Sequence, residues 1–132
     1  GHTAYTMAKY GMSMCVLGMA AEFADEGIAF NALWPRTTIA TAAVKNLLGG
    51  EQMMKMSRKP DILADAAWRI FQKPKSFTGN FLIDDTFLAS EGVSNFDQYR
   101  ADPSQPLQVD FFVPDNIPPP PGVWVTCFAS RS

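Results

Sequence analysis

Apolar residues occupy nearly every side of the first segment of the chain. From Tyr5 to Ala21 the only charged residue is Lys9, among small and apolar residues. A helix that is apolar nearly all round belongs in a protein interior or an interface. The pattern therefore predicts a long helix from Tyr5 to about Ala24, with a single cation on it, and it predicts that Cys15 is a small buried residue.

Two short segments further on have the pattern of strands, and the first has that of a strand covered on both faces. Residues 28–34 are apolar except Asn31, and residues 80–83 follow a Thr-Gly turn. Residues 61–72, between them, are apolar on one helical face and charged on the other. Strand, crossover helix and strand predict a βαβ unit with parallel strands, and therefore an α/β fold.

Shorter helices are predicted around these elements. Residues 41–48 form an amphipathic pattern that Gly49 and Gly50 should end, and residues 52–56 continue as a second helix. Residues 86–90 follow two adjacent acids, Asp84 and Asp85. We expect Asp85 to cap that helix and give a metal site there little weight, because no histidine or third acid lies near in sequence.

The composition changes after Arg100. Seven of the ten prolines follow it, four of them consecutively at residues 118–121. Such a run favours the extended polyproline II conformation. A ligand for an aromatic-lined groove is one interpretation, and a stiff linker or a disordered end is the one we favour. We therefore divide the chain into residues 1–100 and a poorly ordered, proline-rich tail of residues 101–132.

Composition and charge narrow the classes of function. The 132 residues are 47% hydrophobic and 18% charged, which suits a folded domain with a core. A net charge of −2 gives no electrostatic reason to expect nucleic acid as a partner. The uncharged run from Tyr10 to Ala21 is too short to span a membrane. Cys15 and Cys127 form no disulfide framework, so we expect an intracellular location, the cytoplasm first, with peroxisome and mitochondrion as alternatives.

Candidate chemistry begins with Tyr5 and Lys9. At i and i+4 on a helix their side chains rise from the same face, with Cβ atoms about 5–6 Å apart. A cation beside a phenol favours the phenolate, so Lys9 is expected to lower the pKa of Tyr5 from its reference value of about 10. Such a pair can act as a general acid and base. The alternative is a buried tyrosine beside a lysine that extends to the surface.

Three segments follow one another in a set order, and the first of them contains this pair. They are Ala-Tyr-Thr-Met-Ala-Lys-Tyr-Gly-Met-Ser at residues 4–13, Asn-Ala-Leu-Trp-Pro at 31–35 and Phe-Thr-Gly-Asn-Phe at 77–81. Together they resemble the second half of the short-chain dehydrogenase/reductase family, and in particular its hydroxysteroid dehydrogenase-like branch and bacterial relatives. The resemblance covers residues 1–100 or slightly more, and it implies the C-terminal half of a Rossmann-type, doubly wound parallel sheet.

The resemblance implies an NAD(P)-dependent oxidoreductase that interconverts an alcohol and a carbonyl, on a lipophilic substrate. Tyr5 would be the acid/base, and Lys9 would hold the nicotinamide ribose and support Tyr5. In the loop under the nicotinamide, Pro35 matches the rigid turn, Ile39 the residue that offers backbone groups to the carboxamide, and Thr41 the hydroxyl that fixes the cofactor. A helix-capping role for the threonines stays open.

The chain departs from the family pattern in two ways. Arg36 stands where the family has glycine, and the loop is one residue longer; Arg36 is interpreted either as a neighbour of a cofactor phosphate or as a solvated loop charge. No Gly-x-x-x-Gly-x-Gly sequence occurs in the chain, and neither the family's serine nor its helix asparagine has a counterpart at the expected distance.

These departures predict that the chain is a C-terminal fragment that is inactive alone, with a homo-oligomer as the intact form. The alternative is a non-catalytic interaction module that binds partners through its uncharged helix and its tail.

Overall fold

The computed structural model describes residues 2–126. Gly1 and residues 127–132 lie outside the described residues, and with them the predictions that concern Cys127 and the continuation of the apolar terminal segment to Phe128. Within the described range the chain alternates helices and short strands, and its paired strands are parallel, as an α/β fold requires.

The long first helix is confirmed. Helix α1 (Thr3–Glu22) is followed by a 3₁₀ turn (Ala24–Glu26) and by Gly27, whose φ of 64° is the left-handed conformation expected of a glycine after a helix. Of the two environments expected for α1, an interior of the chain is not found, because only Ser13 and Ala20 are buried, and an interface stays a prediction. Cys15 is exposed and the prediction for it is wrong.

The βαβ unit is also confirmed. Strand β1 (Asn31–Trp34) pairs in parallel with β2 (Asn80–Ile83), in a register that joins Asn31 to Asn80 and Trp34 to Ile83. The one polar residue of the predicted first strand sets this register: the Asn31 amide donates to the carbonyl of Phe77 at 2.8 Å, and its oxygen accepts from the Asn80 side chain at 2.8 Å.

Helix α3 (Asp61–Phe71) crosses between the two strands and supplies the core. Its Ile62 and Ala66 are fully buried and pack with Leu88 of α4 (Asp84–Ser90). Alternation of apolar and charged positions at helical spacing therefore predicted both the element and its buried face. A 3₁₀ helix (Asp97–Tyr99) follows α4 and adds Tyr99 to the same cluster.

The region between β1 and α3 differs from the prediction. Residues Val44–Gly49 form a π-helix, and helix α2 (Gly50–Lys55) follows it directly. The glycine pair therefore does not end the helical segment. It changes the direction of the backbone instead, since Gly50 has a φ of 63°, which favours glycine.

The C-terminal segment contacts the rest of the chain. Strand β3 (Leu107–Gln108) pairs in parallel with β4 (Val125–Thr126), and the backbone N–H of Gln108 donates to the carbonyl of Met56 at 2.9 Å. Thr37 and Val109 form an antiparallel bridge. The division of the chain at residue 100 stays a prediction. The composition of the segment gave no indication of the backbone hydrogen bond with Met56 or of the bridge with Thr37. Within residues 2–126, no helix combines the length and apolar character needed to cross a membrane.

Candidate active site

A cavity of about 290 Å³ lies between α1, β1 and the chain turn at residues 110–112. It brings together three of the five residues predicted for the site, Tyr5, Lys9 and Pro35. Ile39 and Thr41 lie further along the loop and do not line it. The remaining lining residues come from the same three segments: Met12, Ser13, Val16, Asn31, Ala32, Leu33, Trp34, Asp110 and Phe112.

Tyr5 and Lys9 share one face of α1, as their spacing predicts. The Lys9 ammonium lies 5.5 Å from the centroid of the Tyr5 ring, and the Tyr5 side chain is 49% exposed. Within the described part of the chain no carboxylate lies within 4.0 Å of the Lys9 ammonium. Lys9, without an ion pair to any described residue, and the phenol of Tyr5 therefore face one cavity, where both are accessible to a ligand.

The expected acidification of Tyr5 is wrong for this structure. Its pKa is raised above the ordinary value, first by burial and then by the negative charge of Asp110. The Lys9 ammonium lies over the face of the ring, where it interacts with the π electrons. Tyr5 is therefore held in its protonated form in the protein without ligand.

Asp110 is a member of the cavity that sequence reasoning missed. Its carboxylate accepts the backbone N–H groups of Phe111 and Phe112, and its own backbone N–H donates to the carbonyl of Arg36 at 2.8 Å. Burial raises the pKa of Asp110, and the charge of Lys9 acts in the opposite direction. No sequence signal places Asp110 here, because it lies about 100 residues from Lys9 along the chain.

The loop after β1 carries the other predicted cofactor residues. Ile39 forms a parallel bridge with Arg58, in which the bonds are made by the flanking residues: the Arg58 N–H donates to Thr38 at 3.0 Å and the Ala40 N–H to Arg58 at 2.8 Å. Among the described residues, the N–H and carbonyl of Ile39 itself make no hydrogen bond.

Thr41 is exposed, and its hydroxyl accepts the backbone N–H of Val44 at 3.4 Å. This contact is at the long limit for a hydrogen bond. It corresponds to the helix-capping role that the sequence left open, at the start of the helical segment before the π-helix. A hydroxyl so weakly held can still exchange its partner for a ligand.

Arg36 agrees with neither of its two interpretations, a neighbour of a cofactor phosphate or a solvated loop charge. Its side chain is 2% exposed, and its Nε donates to both carboxylate oxygens of Asp85, at 2.7 and 2.9 Å. The remaining guanidinium nitrogens donate to the Thr86 hydroxyl at 2.7 Å and to the carbonyls of Ile117 and Pro118 at 2.9 and 3.2 Å. A guanidinium occupied in this way is not free for a cofactor phosphate.

Two acids and two bases thus form one buried ionic cluster, which consists of Arg36, Arg58, Asp84 and Asp85. Arg58 donates to Asp85 at 2.9 Å and lies 3.8 Å from Asp84, and all three side chains are fully buried. Burial raises the pKa of Asp84 to about 6, against the opposing charge of Arg58. Asp85 therefore binds two arginines instead of capping α4.

Metal binding finds no support in the described residues. They contain no group of three or more His, Cys, Asp or Glu side chains placed to hold an ion. Asp85 is instead paired with Arg36 and Arg58, and Asp84 lies 3.8 Å from Arg58.

Comparison with known proteins places this geometry in context. No known family profile matches the chain. Hydroxysteroid dehydrogenase-like protein 2 of Homo sapiens is 62% identical over 112 residues, which is 85% of this chain and 26% of that protein. The protein of the same name from Danio rerio is 58% identical over 112 residues, with the same coverage of both. The chain spans about a quarter of the length of these curated relatives.

Two solved structures have the same fold over most of the chain. A short chain dehydrogenase of Mycobacterium thermoresistibile is 51% identical with a TM-score of 0.77, over 92% of this chain and 43% of that one. A putative dehydrogenase from Xanthomonas campestris is 46% identical with a TM-score of 0.79, over 86% of this chain and 41% of that one. The chain is therefore related to hydroxysteroid dehydrogenase-like protein 2, and it has the fold of the C-terminal half of a short-chain dehydrogenase/reductase Rossmann domain.

Proposed function

We propose that the chain provides the acid/base half of an NAD(P)-dependent oxidoreductase that interconverts an alcohol and a carbonyl. The observation that supports this most directly is the cavity in which Tyr5, Lys9 and Pro35 meet. A phenol and an unpaired ammonium that face one cavity are suited to a proton transfer beside a bound polar group. The similarity to dehydrogenases of known structure adds to the proposal.

The residues present fit the nicotinamide end of such a cofactor. Lys9 has no carboxylate partner within 4.0 Å among the described residues, and the backbone groups of Ile39 are without hydrogen bonds there. In the proposed complex Lys9 holds the ribose hydroxyls, Ile39 binds the carboxamide, and Thr41 and Pro35 shape the loop. The nicotinamide, when bound, supplies or accepts the hydride.

Tyr5 is proposed to move the proton at the substrate oxygen. In carbonyl reduction its hydroxyl donates a proton to the carbonyl oxygen, and in alcohol oxidation its phenolate oxygen takes that proton back. A phenol of ordinary pKa is already protonated at neutral pH, and burial raises the pKa of Tyr5 further, so Tyr5 carries the proton to be donated in the protein without ligand. The ammonium of Lys9 favours the phenolate that donation leaves behind.

The substrate proposed is lipophilic. Beyond Tyr5 and Lys9 the cavity wall is mostly apolar, with Val16, Leu33 and Trp34 on one side and Phe112 on the other. The Phe112 ring lies 5.9 Å from the ring of Tyr5 and 5.8 Å from that of Trp34, measured between centroids. Apolar walls with a few polar groups are typical of sites that bind small organic molecules.

The test uses the 132-residue chain and a hybrid in which the chain replaces the matching residues of the Mycobacterium thermoresistibile short chain dehydrogenase. In the hybrid, Tyr5→Phe should lower kcat by at least about a thousandfold while NAD(P) affinity changes less than about threefold, because only the proton donor is removed. Lys9→Ala should lower kcat and also weaken the affinity for NAD(P). Absorbance of the reduced nicotinamide measures turnover, and calorimetry measures affinity.

Tyr10→Phe is the matched control, since Tyr10 lies on the same helix, packs against Phe112 at 5.2 Å and does not line the cavity. It should keep turnover. A Tyr5→Phe hybrid that retains a tenth or more of the activity would contradict the role proposed for Tyr5.

The second candidate is the interaction module. It is favoured by the exposed apolar side chains of α1, which include Met7 at 70% and Met14 at 66% exposure. Homo-oligomerisation through this helix would cover the same side chains. If the hybrid binds no NAD(P) while the 132-residue chain self-associates in sedimentation experiments, the interaction module replaces the enzyme as the proposal.

A further inference from the structure

The cavity has a third wall, formed by the turn at residues 110–112. The carboxylate of Asp110 closes this turn by accepting two backbone N–H groups, and the Asp110 backbone N–H anchors it to the Arg36 carbonyl at 2.8 Å. Phe112 completes the contact with rings from α1 and β1: Tyr10 at 5.2 Å and Trp34 at 5.8 Å. The turn is therefore held at both ends in a fixed position.

Lys9 and Asp110 are the two charged residues that line the cavity. Their charges oppose each other across a half-buried space, without a direct ion pair within 4.0 Å among the described residues. An anionic group that enters would gain from Lys9 and lose to Asp110, so the net electrostatic preference for an anion is small. Removing one of the two charges would leave the other uncompensated in a partly desolvated site, where charges interact strongly.

We propose that Asp110 is a specificity-determining residue of the Tyr5 cavity, and that its carboxylate selects uncharged carbonyl or alcohol substrates against anionic ones. The inference rests on the proposed function for the identity of the ligand. It goes beyond that function because it assigns a substrate class to one residue of the C-terminal segment. Phe112 supplies the apolar part of the same wall, and Asp110 the part that discriminates by charge.

Two aryl ketones of nearly equal shape test the proposal in the 132-residue chain. 4-Acetylbenzenesulfonamide is neutral and 4-acetylbenzenesulfonate is anionic throughout the accessible pH range. Ligand-observed NMR titration measures the affinity of each. In the unaltered chain the sulfonamide should bind more tightly. Asp110→Asn should raise the affinity for the sulfonate by about tenfold and change that for the sulfonamide less than about twofold, because only the charged probe interacts with the carboxylate.

Asp115→Asn is the matched control. Asp115 lies in the same C-terminal segment, is exposed and does not line the cavity. Its replacement removes one negative charge and should leave both affinities unchanged. Lys9→Met should act in the opposite sense to Asp110→Asn and weaken sulfonate binding. Equal effects of Asp110→Asn and Asp115→Asn, or no effect of either, would overturn the proposal.

A measurement on the unaltered chain covers the case in which Asp110→Asn does not fold. Acidification protonates Asp110, whose pKa burial raises, so sulfonate affinity should increase as the pH falls from neutral. The other ionisable groups near the turn are Lys9 and Tyr5 on the cavity side and His2, whose ring lies 5.1 Å from that of Phe111. His2→Gln removes the contribution of the imidazole. Sulfonate affinity that does not change with pH would contradict the assignment.

These outcomes separate the inference from the function on which it rests. Binding of the two probes requires no hydride transfer, so a hybrid without turnover would reject the enzyme and leave the charge preference measurable. Turnover in the hybrid that is equally fast with both probes, before and after Asp110→Asn, would reject the inference alone.

Discussion

Two groups of charged residues lie close together in this protein and differ in every physical respect. In the buried ionic cluster Asp85 contacts both arginines at 2.7–2.9 Å, Asp84 lies 3.8 Å from Arg58, and no side chain is more than 2% exposed. In the candidate cavity, Lys9 lies 5.5 Å from the ring of Tyr5 and has no close carboxylate among the described residues. Buried charges require partners within the protein to offset the cost of desolvation. A binding site instead requires polar groups that can form their interactions with the ligand.

The two groups are connected through Arg36. Its backbone carbonyl holds the turn that carries Asp110, and its guanidinium holds the carbonyls of Ile117 and Pro118 further along. The ionic cluster thus joins the loop after β1, Arg58 in the segment before α3 and the start of α4 to the C-terminal segment. We infer that the cluster positions the third wall of the cavity, while the cavity contributes little to the stability of the fold.

The largest effect is expected from Asp85→Asn. It leaves two buried guanidinium groups without their main counter-charge, and breaking a buried pair in this way costs about 3–5 kcal/mol. Urea unfolding followed by tryptophan fluorescence measures the loss. Glu51→Gln is the control, because it breaks the exposed pair of Glu51 with Lys45 and should leave the unfolding midpoint unchanged. Equal urea midpoints for Asp85→Asn and Glu51→Gln would contradict the expectation that the buried ion pairs stabilise the fold more than the exposed pair does.

The next effect is a pH dependence due to Asp84. Its pKa is about 6 in the folded chain against an ordinary 3.8, so the folded state binds the proton more tightly than the unfolded state. The unfolding free energy contributed by this group therefore rises as the pH falls from about 7 to 4, by up to about 3 kcal/mol at 1.36 kcal/mol per pH unit.

Asp84→Asn should remove this contribution and stabilise the chain at pH 7, because the amide oxygen can still accept the N–H groups of Arg36 and Asp85. Unfolding of both proteins across the pH range gives the comparison. A variant that keeps the full pH dependence of the parent would show that Asp84 is ionised in the fold.

The smallest effect on stability is expected in the cavity. Tyr5→Phe should change the unfolding free energy by less than about 0.5 kcal/mol, because the Tyr5 ring is half exposed and can still stack on Phe112. The same urea titration measures it. A loss above about 1 kcal/mol would favour the alternative of a structural tyrosine and weaken the case for an acid/base.

Sequence patterns were sufficient where a local rule governs the structure. Alternating apolar and charged positions predicted α3 and its apolar face, of which Ile62 and Ala66 are buried whereas Phe71 is 80% exposed. The apolar run around Asn31 predicted β1, and the structure shortens that strand to four residues. The four-residue spacing of Tyr5 and Lys9 predicted their common face, since helical geometry alone decides it.

Local rules failed where the partner lies far away along the chain. Asp85, the partner of Arg36, is 49 residues distant, and the carbonyls of Ile117 and Pro118 are more than 80 residues distant. The pKa of Tyr5 was expected in the wrong direction, because burial raises it and the charge of Asp110, from the other end of the chain, adds to that effect. The π-helix at Val44–Gly49 likewise has no counterpart in the periodicity.

The sequence by itself determined the long first helix, the parallel βαβ unit and the pair of groups proposed to perform the chemistry. These follow from periodicity and from spacing within one helix. Only the tertiary structure decided which charges are buried and paired, which face a cavity, and which distant carboxylate completes that cavity. Burial and electrostatic interaction depend on distance through space, and the sequence records distance only along the chain.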